Sequence, residues 1–192
     1  GQFDVDEDLA CAMYEELVAR ASDVGLHRYE IANFARRCRV SKADSPPPGG
    51  ELPALACRHI VNYWRGGDFF GLGPSATTYV RGVRTKNVSN TPLYCEQLEA
   101  GRRPLASREQ LPPLARAGET AAFGLRMVAG WPFAEFERVT GFDLRGEWAD
   151  DMQRLVEQGW GERDEQGFRL TFQGLRFADA AAEMLLRPAE SA

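Results

Sequence analysis

The sequence has 192 residues but contains only two histidines and four cysteines. The cysteines, Cys11, Cys38, Cys57 and Cys95, are too widely spaced for a CxxC pair or a compact set of metal ligands. This distribution is typical of reduced cytosolic thiols and not of a disulfide framework. No apolar run reaches the ~20 residues that a membrane-spanning helix needs, and the chain starts with acidic residues where a signal peptide is basic. The sequence therefore predicts a soluble, cytoplasmic protein.

The sequence also lacks a net positive charge, because its 28 acidic residues outnumber its 23 basic ones and give a formal net charge of -5. The whole excess of negative charge lies in residues 105–192, which contain 10 arginines, no lysine and 15 acidic residues. Phosphate backbones are bound by clustered Lys and Arg, so a general nucleic-acid or anionic-membrane binder is not expected. A local basic patch for a small anion remains compatible with these numbers.

The first half of the chain alternates helical and extended patterns. Apolar residues recur every three or four positions from Asp6 to Val24, which predicts an amphipathic helix. RYEIANF (28–34) then predicts a short strand ending in a loop, and a helix followed by a strand is typical of an α/β barrel or doubly wound sheet. SKADSPPPGGELP (41–53) predicts an exposed loop. Further predictions are extended segments at DFFGLG (68–73) and ATTYVRGVRTKNV (76–88), a turn at Arg81–Gly82, and a helix PLYCEQLEA (92–100) with Thr91 as its N-cap.

The second half predicts helices separated by glycines. SREQ (107–110) has the capping-box pattern and predicts the start of a helix that runs to Met127 and Val128, broken early by Pro112–Pro113. Three more helices are predicted at PFAEFERVT, GEWADDMQRLVEQ and QGLRFADAAAEMLL, with a hairpin at GERDEQGFRLT. This order predicts a winged-helix-like domain, and we expect two domains, residues 1–104 and 105–192.

Winged helices often bind DNA, but the charge of the helix that would enter the groove argues against DNA binding here. It carries Glu147, Asp150, Asp151 and Glu157 against Arg145 and Arg154. Phosphates repel such a surface. The second half is therefore better interpreted as a packing or partner-binding module.

Six motifs resemble the radical SAM proteins related to oxygen-independent coproporphyrinogen III oxidase, and most closely their haem-chaperone branch. They are GLHRYEIANFAR, CRHIVNYW, FFGLGPSATTYV, RTKN with Tyr94 after it, AFGLRMVAG and FRLTFQGLRFAD, and they run in order from about Asp6 to Leu186. The resemblance implies an α+β fold, in which the terminal part of a partial (β/α) radical SAM barrel is followed by a helical, winged-helix-like C-terminal domain.

The resemblance also implies what this chain lacks. In that family a CxxxCxxC motif holds a 4Fe-4S cluster that binds S-adenosylmethionine, and this sequence contains no such motif. The chain is therefore expected to correspond to the C-terminal half, and alone to bind neither cluster nor S-adenosylmethionine and to be inactive as an enzyme. An incomplete barrel wall leaves an open strand edge and apolar surface, which predicts self-association.

For the family as a whole the resemblance implies porphyrin or haem as the ligand and a haem-acceptor protein as a partner. Oxidative decarboxylation of a porphyrinogen and carriage of haem both remain open, with haem carriage favoured. A rival hypothesis is a protein-interaction module that retains no small-molecule site.

His59 matches the histidine of the family's HNxxYW motif, which here reads HIVNYW, with Ile60 in the position of the asparagine. The resemblance implies that His59 is an axial ligand to haem iron, with Tyr63 and Trp64 lining the same site. The alternative is a histidine hydrogen-bonded in a loop, with the two aromatic rings packed on the barrel.

Other candidate residues follow from the remaining motifs. The backbone at Ile31 or Ala32 is expected to line the adenosine site, whereas Glu30 and Asn33 are expected to fix neighbouring loops. Arg84, Lys86 and Asn87 are candidates for holding anionic groups such as porphyrin carboxylates, the alternative being a solvated charged hairpin. Thr77 stands where many family members have a histidine, and GLGPSATT (71–78) either approaches a ligand or forms a tight turn.

Overall fold

The computed structural model describes residues 6–36 and 53–188 of the chain. The α-helices of these residues are α1 (Glu7–Asp23), α2 (Arg58–Trp64), α3 (Thr91–Glu99), α4 (Pro113–Gly124), α5 (Phe133–Thr140), α6 (Leu144–Glu147), α7 (Ala149–Glu157) and α8 (Ala178–Leu185). The strands are β1 (Leu26–Arg28), β2 (Phe34–Arg36), β3 (Thr77–Val80), β4 (Val83–Asn87), β5 (Leu105–Gln110), β6 (Trp131–Pro132), β7 (Gly161–Arg163) and β8 (Gly167–Leu170), and a 3-10 helix covers Gly174–Phe177. Residues 41–52 of the predicted proline-rich loop lie outside the described residues.

Helix α1 confirms the prediction from apolar periodicity. Asp6 caps it by accepting a hydrogen bond from the backbone N–H of Leu9 at 2.9 Å. Its regular apolar stripe is exposed, however, whereas Ala21 is buried. The exposed members of the stripe are Leu9, Met13, Leu17 and Val24.

The predicted strand RYEIANF is wrong in its position. Strand β1 ends at Arg28, and Tyr29 to Asn33 form the turn that leads into β2, which pairs antiparallel with β1. Glu30 explains the turn, because its buried carboxylate accepts hydrogen bonds from the backbone N–H of Ala32 at 2.8 Å and from the side chain of Asn33 at 2.6 Å. A charged side chain bonded within its own turn favours the turn over a continued strand.

The predicted hairpin with a turn at Arg81–Gly82 is confirmed, and a third strand extends it. Strands β3, β4 and β5 form an antiparallel sheet in that order. The capping box at SREQ is therefore wrong, because these residues lie in β5 and pair with β4. Helix α4 begins only at Pro113, and helix α3 is capped by Asn90 and not by Thr91. The boundary expected after residue 104 stays a prediction, with β5 in the sheet of the first half.

The second half packs its helices around one buried core that includes Trp131, Phe136, Trp148 and Phe168. The hairpin predicted at GERDEQGFRLT is confirmed as β7 and β8, and β6 extends it into a sheet of order β6-β8-β7. The single helix predicted at GEWADDMQRLVEQ is wrong, because α6 and α7 are separate and break at the buried Trp148. The indole N–H of Trp148 donates to the carbonyl of Leu185 at 2.8 Å, which fixes the break against α8.

The turn after β1 connects the two halves of the chain. Glu30 forms a bridge with Met127, and the backbone N–H of Val128 donates to the carbonyl of Tyr29 at 3.0 Å. Tyr29, Ala35 and Met127 form a small buried cluster there, against which Val61 and Trp64 of α2 pack. This arrangement places α2 between the small hairpin and the helical half.

Candidate functional site

Helix α2 carries the CRHIVNYW motif. The hydroxyl of Tyr29 accepts a hydrogen bond from the backbone N–H of Cys57, the residue before the helix, at 3.2 Å. Burial raises the pKa of the Tyr29 phenol, although this hydrogen bond opposes the effect, so the hydroxyl stays protonated near neutral pH. His59 is exposed in the first turn of α2. The loop position in the alternative is therefore wrong, because His59 lies in a helix, whereas the packing of Trp64 against Tyr29 and Met127 agrees with that alternative.

A row of aromatic rings begins at His59. The ring of Tyr63, one helical turn further on, meets the imidazole edge to face with centroids 4.7 Å apart. Tyr63 in turn contacts Phe69 at 4.2 Å, and Phe69 lies 6.0 Å from Tyr79 of β3. Reciprocal backbone hydrogen bonds of 2.7 and 2.9 Å between Phe69 and Tyr79 hold the last pair together. The row thus joins α2 to the β3-β4-β5 sheet.

Part of this row forms the wall of a half-open cavity of about 350 Å³. Its lining is mostly apolar and comes from α2, the loop after it, the sheet and α4. The lining residues are Tyr63, Trp64, Gly66, Gly67, Phe69, Thr77, Tyr79, Arg84, Glu119, Thr120 and Phe123. Cavities of this size with few polar groups are typical of small-molecule sites. The structure thus brings four candidate residues to one cavity, with His59 beside Tyr63: Tyr63, Trp64, Thr77 and Arg84.

Arg84 supplies the charge in the cavity wall, and two carboxylates already bind it. It donates two hydrogen bonds to Glu119, of 2.6 and 3.1 Å, and a third to Glu109 at 2.6 Å. The hydrogen bonds with Glu119 raise the pKa of the guanidinium above its ordinary value. A ligand carboxylate would have to compete with both glutamates, so Arg84 is poorly placed to grip one.

Asn87 and Lys86, its neighbour on β4, differ in their surroundings. The Asn87 side-chain amide donates to the carbonyl of Gly73 at 2.9 Å and to that of Gly71 at 3.4 Å, so it fixes the glycine-rich loop. Lys86 is exposed and pairs in register with Thr77, a residue of the cavity wall. Among the described residues it forms no ion pair, which leaves its ammonium group available to an anion.

Ile31 and Ala32 lie apart from this cavity. The hydroxyl of Tyr14 donates a hydrogen bond to the carbonyl of Ile31, and the backbone N–H of Ala32 donates to Glu30. Both backbone groups are thus used inside the protein, between α1 and the turn. Glu30 and Asn33 are expected to fix neighbouring loops, but the hydrogen bonds of their side chains lie within their own turn.

Several residues of the cavity were not predicted from the sequence. Phe69 and Tyr79 stand inside quoted motifs, so they could have been found by asking which aromatic residues flank the glycine-rich loop. Phe123 also stands inside one of these motifs, AFGLRMVAG, whereas Glu119 and Thr120 lie on α4 outside all six motifs. Only the packing of α4 against α2 and the sheet brings them to the site.

A separate metal centre is not formed by the described part of the chain. No group of three or more His, Cys, Asp or Glu residues there could hold a metal ion, and Cys11, Cys57 and Cys95 are free thiols. This donor set does not fit an iron-sulfur cluster. It does fit haem, because the porphyrin supplies four ligands and the protein needs to supply only an axial group such as the exposed imidazole of His59.

Comparisons with known proteins define the class first. Residues 111–177 match the family model described as HemN C-terminal domain. The coproporphyrinogen III oxidase (HemN) of Escherichia coli, a radical SAM enzyme, has a similar fold, with a TM-score of 0.62 over 89% of this chain and 39% of that chain, at 15% sequence identity. The fold is therefore that of part of a radical SAM protein of the HemN type, with mixed helix and sheet content.

Sequence relatives then narrow the class. The chain is 35% identical to the haem chaperone HemW of Mycobacterium tuberculosis over 67% of its own length and 29% of that protein. It is 28% identical to the haem chaperone HemW of Bacillus subtilis over 84% of its length and 38% of that protein. The chain thus spans less than half the length of these relatives. The resemblance to radical SAM proteins related to oxygen-independent coproporphyrinogen III oxidase, and to their haem-chaperone branch, is confirmed for the C-terminal half.

Proposed function

We propose that this chain is the C-terminal portion of a haem-chaperone-like protein of the radical SAM class and that it holds haem at α2. The observation that carries this proposal is the placement of His59. Its exposed imidazole lies edge to face with Tyr63, which lines the aromatic cavity. A planar, mostly apolar ligand with a metal at its centre suits this combination of an axial ligand and aromatic walls.

The remaining groups of the site fit the edges of a porphyrin. The aromatic walls accept an apolar edge, whereas the carboxylates need a cation near solvent. Lys86, beside Thr77 on the sheet, forms no ion pair with another described residue, while Arg84 is bound by two glutamates. We therefore assign the carboxylate contact to Lys86 rather than to Arg84.

The proposal includes several properties of the family. The parent protein would carry the 4Fe-4S cluster and S-adenosylmethionine on the part that this chain does not match, and haem would pass to an acceptor protein in the cytoplasm. The helices and the β6-β8-β7 sheet of the second half are proposed to form a winged-helix-like domain without a nucleic-acid partner. Among the described residues, none of the helices combines the length and apolar character that a membrane crossing requires.

Haem titration of the purified chain tests the proposal. We expect the wild-type chain to give a Soret band of ligated haem, and His59→Ala to lose it. His27→Ala is the matched control, because His27 lies in β1 and pairs with Ala35, away from the cavity. Identical Soret spectra for the wild type and His59→Ala would remove the basis of the proposal.

A protein-interaction module is the second candidate, and the exposed apolar residues favour it. Phe70 and Leu72, on the loop that Asn87 fixes, are 77% and 90% exposed, and the α1 stripe is exposed as well. Such surface is typical of contact with another protein. This candidate gains if the chain binds no haem but captures a defined acceptor protein through this loop.

A further inference from the structure

Trp64, the last residue of α2, and Arg65, its C-cap, both contact the helical half through cation–π pairs. The guanidinium of Arg126 lies 4.8 Å from the centre of the Trp64 ring, and the guanidinium of Arg65 lies 4.5 Å from that of Trp131. Each side thus supplies one tryptophan and one arginine. We call these four residues the Trp–Arg clasp.

The Arg65 side of the clasp has several polar partners in the helical half. Arg65 donates to the carbonyl of Gly130 at 2.8 Å and lies 3.8 Å from Glu135. The indole N–H of Trp131 lies 3.2 Å from the carbonyls of both Thr120 and Ala121. Burial lowers the pKa of Arg65, as expected for a guanidinium inside the protein. This side is therefore a structural anchor between α2 and the helical half.

The Trp64 side is different, because it is incompletely bonded and forms part of the cavity. The indole N–H of Trp64 and the Nε of Arg126 are both buried, and neither has a hydrogen-bond acceptor among the described residues. Trp64 lines the cavity and packs against Phe123, another lining residue, with the ring centroids 6.3 Å apart. Buried donors without acceptors are rare in folded proteins, so these two require an explanation.

Arg126 is in turn held from α8. Its Nη1 donates to the carboxylate of Asp179 at 2.9 Å, and the Asp179 side chain is 90% exposed. The ion pair holds the Arg126 guanidinium over the indole of Trp64. Its Asp179 end is open to solvent. A path of direct contacts therefore runs from α8 through Arg126 and Trp64 to the cavity.

We propose that Arg126 is a positioning residue of the haem site, which holds the indole of Trp64 as a wall of the cavity while Asp179 holds Arg126. The inference rests on the proposed function for the identity of the ligand. It assigns no ligand contact to Arg126 itself. It predicts that the haem affinity of the cavity responds to a change on α8, outside the cavity.

The test compares Arg126→Met, which keeps the bulk but loses the charge, with Arg126→Lys, which keeps the charge. We expect haem affinity to fall about 5-fold in Arg126→Met and to remain within about 2-fold in Arg126→Lys, since a cation over a tryptophan ring contributes a modest free energy. The haem affinity of Asp179→Asn should lie between those of Arg126→Met and Arg126→Lys. Arg145→Met is the matched control, because Arg145 lies over Phe133 at 5.3 Å, and neither residue lines the cavity.

A second readout is independent of haem. The indole N–H resonance of Trp64, assigned with Trp64→Phe, should shift in ligand-free Arg126→Met, and that of Trp131 should stay in place. The proposal is overturned if folded Arg126→Met keeps wild-type haem affinity, if Arg126→Lys is no better than Arg126→Met, or if the Trp64 resonance does not move. A wild-type chain that binds no haem defeats the proposed function instead, and the Trp64 resonance then decides the role of Arg126.

Discussion

Arg84 of β4 and Glu119 of α4 form a two-point ion pair, with hydrogen bonds of 2.6 and 3.1 Å, in the wall of the aromatic cavity. Both side chains are mostly buried, with exposed fractions of 31% and 23%. The pair ties the sheet to the helical half, and it occupies Arg84, the cation that the described residues contribute to the cavity wall.

The ion pair leads to a prediction about stability. Glu119→Gln should lower the free energy of unfolding by roughly 1–2 kcal/mol, because it weakens a charge-assisted bond while Glu109 still partly satisfies Arg84. Glu96→Gln, at an exposed position of α3, should change it by less than about 0.5 kcal/mol. Urea denaturation measures both, and equal effects for the two variants would contradict the structural role of the pair.

The glycine-rich loop should not tolerate a side chain at Gly71. A Cβ atom there would lie 2.2 Å from the carbonyl oxygen of Thr77, a backbone atom that cannot move aside. We expect Gly71→Ala to destabilise the protein by about 2–3 kcal/mol.

Gly146 provides the control for this change. A Cβ atom there would meet only a carboxylate oxygen of Asp143, at 3.9 Å, and Gly146 lies in a helix. Gly146→Ala should therefore stabilise the protein by roughly 0.4–1 kcal/mol. Thermal unfolding compares the two variants, and a neutral Gly71→Ala would show that the loop is not packed as described.

Tyr79 should make the protein sensitive to alkali. Burial raises the pKa of its phenol above the ordinary value of 10.0. The native state therefore retains this proton more firmly than the unfolded state, and the stabilisation that is complete below pH 10 is lost as the pH rises through the native pKa. Tyr79→Phe should reduce the loss of unfolding free energy between about pH 8 and about pH 10.5. A loss identical to that of the wild type would exclude this contribution from Tyr79.

The exposed stripe of α1 predicts self-association of the chain. Leu9, Met13 and Leu17 are between 53% and 65% exposed. Contiguous apolar surface of this kind associates in water. Sedimentation should show oligomers that grow with concentration, and Met13→Lys combined with Leu17→Glu should shift them to monomers. A wild-type chain that stays monomeric at high concentration would contradict the prediction.

Much of the local structure was predictable because it depends on local chemistry. Periodicity placed α1, and the turn at Arg81–Gly82 placed the β3-β4 hairpin. SREQ failed because its capping-box pattern is compatible with a strand once β4 offers backbone partners. The strand prediction for RYEIANF was wrong at Tyr29–Asn33, where the chain turns. The sequence does not show that the Glu30 side chain bonds within this turn, so the pattern predicts a strand there.

The site was predictable only in part, for a physical reason. His59, Tyr63 and Trp64 stand together in one short helix, so a motif finds them. The ion pair that occupies Arg84 comes from Glu119, 35 residues away along the chain. Such contacts depend on tertiary packing, so they cannot be predicted from the spacing of residues in the sequence.

The central claim is that His59 ligates haem iron, and rescue by free imidazole tests it most directly. Ferric haem bound to the wild-type chain should show the absorption and electron paramagnetic resonance of histidine ligation. His59→Ala should lose these signals, and added imidazole should restore them by occupying the space that the side chain leaves. Wild-type signals in His59→Ala without imidazole would contradict the claim.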